Sequence, residues 1–431
     1  MSQRIKASLR LEGSLSLPGD KSISHRALIF NAMAQGKATI VNLSPGLDCQ
    51  STIRCLQGLG VQIQCGWGEA HDQVIVTGRG RSGFTEPEDV LDAGNSGTTV
   101  RLLTGLLAAQ PFLSVLTGDD SLRRRPMGRI IKPLTLMGAH IWGRGGDTLA
   151  PLCIKGGPLQ GIEYVLPVAS AQLKSAILIA GLYAQGETVV VEPAPCRDHT
   201  ERMLLAMGAS ITTEGQCIIL TPGEDELHCV DVVVPGDISA AAFWLVAGAI
   251  NPQAHITIHN VGINPTRAGV IQVLQAMGAN LRVLNPRMVS GEPVADLEVA
   301  SSQLRGVEIG GEIIPRLIDE LPVLAVAAAL AQGTTVIRDA AEMRVKESDR
   351  IATTVEGLAR LGAHIRATAD GMIVHGVSHL TGATCDSYGD HRLAMALAVA
   401  GLVARGETTV LQAEAADVSY PGFWSDLESL C

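Results

Sequence analysis

The chain has 431 residues, 46% of them hydrophobic and only 18% charged, which excludes a disordered chain and supplies a large buried core for two or more domains. Its formal net charge is −10, which excludes a general affinity for nucleic acid or for an anionic membrane, so any anion site must be a local cluster of Lys and Arg. Aromatics are 3% of the chain against 47 glycines, so the expected core is Ala, Leu, Val and Ile with tight turns between short elements.

The nine cysteines run from Cys49 to Cys431 with no CxxC pair and no Cys/His ligand spacing, the pattern of reduced thiols without a metal site. The first 17 residues lack the apolar core of a signal peptide, and the longest apolar runs, near 321–331 and 394–404, are too short to span a bilayer. A soluble cytoplasmic protein, acting as a monomer, is the expectation.

In chain order, Pro18-Gly19 ends an extended run, Asp20 or Ser22 can cap a helix, and Ile23, Ala27 and Phe30 recur at helical spacing, which predicts a helix beginning near Lys21. Ser22 and Arg26 then share a face with Lys21 beside them, so unpaired backbone N–H groups, a hydroxyl and two cations gather at one helix tip. A solvated, capped helix start would have the same make-up, and the segment alone does not separate the two. The stretch from Asp92 to Arg101, with Asn95, Ser96, Gly97 and Thr98, opens a second apolar helix whose glycines let backbone N–H groups approach an anion. It lacks the Walker lysine and the full GxGxxG pattern, which argues against nucleotide binding.

Arg123-Arg124-Arg125 precede Pro126, read as a helix-starting proline, with Asp119 and Asp120 near enough for a purely structural ion pair. Ser170-Ala171-Gln172 begins a third apolar helix, Arg197-Asp198-His199 another helix, and Asp319-Glu320 opens a long Ala/Leu/Val helix. In Arg344-Val345-Lys346-Glu347-Ser348-Asp349-Arg350 the spacing puts Lys346 and Arg350 one helical turn apart with Glu347 between them, and Arg392 follows Asp390 on the first turn of a sixth apolar helix. Cations at so many helix starts in an acidic chain point to small polyanions carrying phosphate and carboxylate groups. Asp319 and Glu347 are the carboxylates left among them for proton transfer.

These motifs are spaced by a repeat. Five helices close alike, at Leu59-Gly60, Met137-Gly138, Met207-Gly208, Met277-Gly278 and Leu361-Gly362, each followed by a strand-like run. Six β-branched runs, from Ala38-Thr39-Ile40-Val41 to Thr408-Thr409-Val410-Leu411, each follow an apolar helix. The unit is helix, strand, helix, strand, strand, counted six times, with the last copy cut short at Cys431. Pro18-Gly19-Asp20 and Pro235-Gly236-Asp237 repeat one tripeptide, which suggests a double crossover. It divides the chain into 1–20 plus 236–431 and 21–235, with three repeats in each.

Eight motifs in order, GDKSISHRA (19–27), GNSGTTVRLL (94–103), RRPMGR (124–129), SAQLKSA (170–176), RDHTERML (197–204), NPTR (264–267), RVKESDR (344–350) and GDHRLAMA (389–396), cover the whole chain. With them the chain resembles the 5-enolpyruvylshikimate-3-phosphate synthase family, in its second sequence class. The resemblance implies an α/β fold, a two-domain inverted α/β barrel of six βαβαββ repeats, with the active site in the cleft between the domains. It implies transfer of the enolpyruvyl group of phosphoenolpyruvate to the 5-hydroxyl of shikimate 3-phosphate, releasing phosphate, with no metal or organic cofactor.

By resemblance, shikimate 3-phosphate would meet Lys21, Ser22, Arg26, Ser170, Ala171, Gln172, Arg197, Asp319 and Lys346. Phosphoenolpyruvate would meet Lys21, Asn95, Gly97, Thr98, Arg125, Gln172, Arg350 and Arg392. Asp319 would take the proton of the 5-hydroxyl and Glu347 would protonate and later deprotonate the transferred carbon, with Lys21 completing the catalytic set.

Three positions depart from or vary within the family pattern. Val418 stands where first-class members carry a lysine, and Ala171 where they carry a serine. Gly97 is the unsubstituted form at a position where larger residues exclude the inhibitor glyphosate in some relatives, which leaves inhibitor response open. Two alternatives stand beside this reading. The sister transferase that uses UDP-N-acetylglucosamine carries a loop cysteine, and none occurs in 117–126; a non-catalytic repeat protein binding phosphometabolites would leave Asp319 and Glu347 without a task.

Overall fold

Six helices carry almost no polar face and are buried nearly throughout: Lys21–Met33, Gly97–Leu107, Ala171–Gly181, Ile238–Ile250, Leu321–Leu330 and His391–Gly401. A helix that is apolar all round has no side to give to water and is covered on every side. In five of them a side chain caps the start: Asp20, Ser96, Ser170, Asp237 and Asp390 accept from the backbone N–H of Ile23, Thr99, Leu173, Ser239 and Arg392. Asp20, not Ser22, therefore caps the first. The helix Leu321–Leu330 has Glu320 at its cap position and Pro322 in its first turn, with no side-chain cap bond; Asp319 lies one residue before Glu320, in the preceding turn.

The computed structural model describes residues 1–66, 73–223 and 225–431. The chain divides into two compact units, a first formed by Met1–Pro18, Pro235–Met288 and Pro293–Cys431, and a second formed by Gly19–Val234 and Val289–Glu292. Each has its own hydrophobic core around three of the six helices.

In the second unit three four-stranded sheets follow one plan, in which a short first strand runs parallel to a longer one that pairs antiparallel with the last of the repeat. Val232–Val233, from the end of the unit, pairs in parallel with Lys37–Val41 near its beginning. The first unit repeats the plan with the chain's start threaded into it. Arg10–Ser16 runs parallel to Gln253–Gly262, and Ser2–Lys6 runs antiparallel to Glu407–Leu411. The copy that ends at Cys431 thus takes a strand from the opposite end of the sequence. All five closing glycines adopt positive φ, where a side chain would be strained.

Two local expectations are corrected. Pro126 does not start a helix: Leu122–Arg124 is a single 3-10 turn, Arg125 is extended as the residue before a proline prefers, and the helix begins at Gly128. Nor do Lys346 and Arg350 lie one turn apart on a helix. Ala341–Val345 is a 3-10 turn, Lys346 is extended, and the helix Arg350–Arg360 starts after Asp349, whose carboxylate accepts from Ala352 N at 3.1 Å. A strong cap at Asp349 fixes the start there and leaves Lys346 and Glu347 in the preceding loop.

Candidate active site

In the second unit the helix Lys21–Met33 presents Lys21 and Ser22 in its first turn, half-buried, and Arg26 one turn later, 2% exposed. Lys21 Nζ lies 2.8 Å from Asp48 Oδ2. Arg26 is held at three points: Nε donates to Thr200 Oγ1 at 2.7 Å, Nη2 to Ser175 Oγ at 2.7 Å and Nη1 to the Ser22 carbonyl at 2.9 Å. Burial lowers its pKa to about 10, with Glu201 opposing and Arg197 adding to the fall. Arg197, in the loop before the helix His199–Ala206, donates from Nη1 to Ser22 Oγ at 3.2 Å. Ser22, Arg26 and Arg197 are thereby brought together from positions up to 175 residues apart, one guanidinium on the Ser22 carbonyl and one on its hydroxyl, group types able to bind a phosphate.

A second cluster in the same unit forms where the helices Gly97–Leu107 and Ala171–Gly181 begin. Gln172 Nε2 donates to Thr98 Oγ1 at 2.9 Å, and Arg101 Nη1 donates to Gln172 Oε1 at 2.6 Å. Arg125 Nη2 donates to Asn95 Oδ1 at 2.6 Å and to Ser121 Oγ at 3.3 Å. A Cβ on Gly97 would sit 3.2 Å from Arg125 Nη1 and 2.9 Å from Arg101 Nη1, so the missing side chain is what lets both cations lie over the helix start. Ser170 is engaged as the cap of its own helix, and Ala171 is that helix's first residue.

In the first unit Asp319 is surrounded by cations. Arg350 Nη1 is 3.3 Å and Lys346 Nζ 3.4 Å from its Oδ1, and Arg392 Nη2 is 3.9 Å from its Oδ2. Arg350, 1% exposed, also meets Glu347 Oε2 at 2.6 Å and Asp390 Oδ2 at 2.8 Å. Burial opposes the charge on Arg350, but Asp390, Glu347 and Asp319 outweigh it and its pKa is raised. Asp319, Glu347, Lys346, Arg350 and Arg392 thus form one constellation, with two carboxylates able to move protons beside three cations able to hold an anion.

A family model described as EPSP synthase (3-phosphoshikimate 1-carboxyvinyltransferase) matches residues 5–427. The chain belongs to the EPSP synthase family. It is 54% identical over 430 residues to the 3-phosphoshikimate 1-carboxyvinyltransferase of Desulforudis audaxviator, covering 100% of this chain and 99% of that one. It is 54% identical over 420 residues to its namesake in Bacillus cereus, covering 97% of each. The solved structure of EPSP synthase from Acinetobacter baumannii superposes with a TM-score of 0.87 at 44% identity, covering 100% of this chain and 98% of that one. The two-domain α/β fold expected from the resemblance is the fold of this family.

Several residues of these clusters were not singled out from the sequence. Asp48 anchors Lys21, Arg101 bridges to Gln172, Glu320 meets Arg392 Nη1 at 3.5 Å, and Asp390 clasps Arg350. Two carried a local signal: Arg101, one helical turn after Gly97 on the same face, and Asp390, at a helix start. Among the described residues, no group of three or more His, Cys, Asp or Glu could hold a metal ion, and no helix is long and apolar enough to cross a membrane.

Proposed function

We propose that the clusters of both units serve one reaction, with the residues in the following roles. The chain is a 3-phosphoshikimate 1-carboxyvinyltransferase: it transfers the enolpyruvyl group of phosphoenolpyruvate to shikimate 3-phosphate in the shikimate pathway. Ser22, Arg26 and Arg197 take the phosphate of shikimate 3-phosphate, with Ser170, Ala171, Gln172 and Lys346 as further ligands of that substrate. Lys21, Asn95, Gly97, Thr98, Arg125, Arg350 and Arg392 take phosphoenolpyruvate.

The chemistry runs as addition and elimination. Asp319 accepts the proton of the 5-hydroxyl as that oxygen attacks C2 of phosphoenolpyruvate, while Glu347 delivers a proton to C3 and turns the methylene into a methyl. In the tetrahedral intermediate the C2–O bond to phosphate then breaks, and Glu347 removes a proton from the methyl to restore the double bond. The methylene carbon of an enol phosphate is a weak base, so its protonation needs a positioned acid, and the departing phosphate needs fixed cations, to which Lys21 adds.

The observation that carries this assignment is Asp319 lying within 4 Å of Lys346, Arg350 and Arg392. Cations that hold the carboxylate before substrate arrives can turn to the incoming anion and leave it to accept a proton. A monomer in the cytoplasm, without nucleic-acid or membrane partners, fits the net charge of −10 and nine cysteines that are all free thiols.

Phosphate release from purified protein, with and without shikimate 3-phosphate, tests the assignment. Release should require both substrates and fall about a hundredfold or more in Glu347→Gln and in Asp319→Ala. Full turnover by either variant would remove that residue from its role. Release driven by UDP-N-acetylglucosamine instead would overturn the substrate.

A further inference from the structure

Asn264-Pro265-Thr266-Arg267 is a motif to which the reaction above gives no task. Asn264 Oδ1 accepts from Thr266 N at 2.9 Å and from Thr266 Oγ1 at 2.8 Å, a self-bonded turn of the kind Asn favours. Arg267 leaves it 3% exposed. Its Nη1 donates to both carboxylate oxygens of Glu320 at 2.9 Å, and its Nη2 donates to Ser239 Oγ and lies 3.8 Å from Asp237 Oδ1. The Glu320 side chain is wholly buried and also receives Ser239 Oγ, while Arg392 Nη1 stands further off at 3.5 Å. Arg392 in turn reaches Asp319 Oδ2 at 3.9 Å. Charges therefore alternate along one row, buried but for its part-exposed last member: Arg267, Glu320, Arg392, Asp319.

Two guanidinium groups compete in that row for one carboxylate. Arg267 holds it through two short bonds and Arg392 through one long one, so the greater share of the Arg392 charge is left for an incoming anion. In a buried site a carboxylate without Arg267 would turn its full charge on the next cation. We propose that Arg267 is a positioning residue for phosphoenolpyruvate: by occupying Glu320 it keeps Arg392 available to the substrate. The inference rests on the reading of Arg392 as a phosphoenolpyruvate-binding cation.

The test is a set of steady-state KM values for each substrate on the full chain, with circular dichroism melts run beside them. Arg267→Met should raise the KM for phosphoenolpyruvate about tenfold or more and move that for shikimate 3-phosphate by less than about twofold. Arg267→Lys keeps the charge and should recover most of the loss. In the double variant Arg267→Met/Glu320→Gln position 320 no longer carries a charge to claim Arg392, so the phosphoenolpyruvate KM should return to within about threefold of wild type.

A merely structural role predicts the reverse, a double variant at least as impaired as Arg267→Met, or a lowered melting point with the KM unmoved, and either result overturns the inference. Should Arg267→Met fail to fold, the double variant, in which the Glu320 charge is removed together with that of Arg267, decides alone. Arg392→Met separates the two layers. If it leaves the phosphoenolpyruvate KM unchanged, the reading of Arg392 falls and the inference with it; if it raises that KM while Arg267→Met does not, only the inference falls.

Discussion

Arg350 meets Asp390 edge-on, with Nε 2.8 Å from Oδ2 and Nη2 3.2 Å from Oδ1, and both side chains are buried. Asp390 also caps the helix His391–Gly401 by accepting from Arg392 N at 2.9 Å. One carboxylate therefore orients one cation of the constellation and fixes the helix start that carries another. Asp390→Ala is expected to cost about 2–4 kcal/mol, from the charged hydrogen bonds of buried Arg350 left unmade while Glu347 and Asp319 still offset its charge, with the lost cap contributing roughly 1 kcal/mol of it. Urea unfolding measures this; a loss below about 1 kcal/mol would mean that Glu347 and Asp319 satisfy Arg350 without Asp390.

His25 makes stability depend on pH. Its Nδ1 lies 2.7 Å from Thr52 Oγ1 in the core, and burial, with Lys21 and Arg26 nearby, holds its pKa well below 6.5. The native imidazole is neutral while the unfolded one takes up a proton below about pH 6.5. Its contribution is thus present above that pH and lost as the pH falls toward the depressed native value, at up to about 1.4 kcal/mol per unit. Urea midpoints at pH 7.5 and 5.5 should fall further in wild type than in His25→Gln. Parallel falls would count against a neutral imidazole.

Gly97→Ala should separate binding from stability. The new Cβ would meet only the far ends of the Arg101 and Arg125 side chains, at 2.9 and 3.2 Å, and alanine suits the first turn of a helix. Stability should stay within about 0.5 kcal/mol, while the displaced Arg125 raises the KM for phosphoenolpyruvate about tenfold. An unchanged KM would show that Arg125 reaches the substrate from elsewhere.

Lys174, 1% exposed, lies 2.9 Å from Glu192 Oε1 and 2.5 Å from Glu201 Oε1. Burial opposes its charge, yet Glu201, Cys196 and Glu192 keep its pKa raised. With two carboxylates to one ammonium, burial prevails at Glu201, whose own pKa is raised. Lys174→Met should cost about 3–5 kcal/mol near neutral pH. A raised carboxylate favours the native state below its ordinary value near 4.5, an advantage lost as the pH rises through the native value. The deficit of Lys174→Met should therefore shrink as the pH is lowered in thermal melts. A deficit independent of pH would assign it to packing.

Local chemistry was legible in the chain itself. The six apolar helices, five of them with side-chain caps, and the five glycine closures appeared close to where the spacing put them, because a helix start is decided by side chains within about four residues of it. For the same reason Pro126 and the run from Lys346 to Arg350 were misread: a proline's grip on Arg125 and a cap at Asp349 outweighed the apparent periodicity. Tertiary packing alone decided the rest. Ser22 with Arg197, Arg101 with Gln172, Arg267 with Glu320 and Ser2–Lys6 beside Glu407–Leu411 join positions 53 to several hundred residues apart. A buried ion pair or a strand pairing exists only once the cores have closed around it, and nothing in the neighbouring residues records which distant partner that closure will supply.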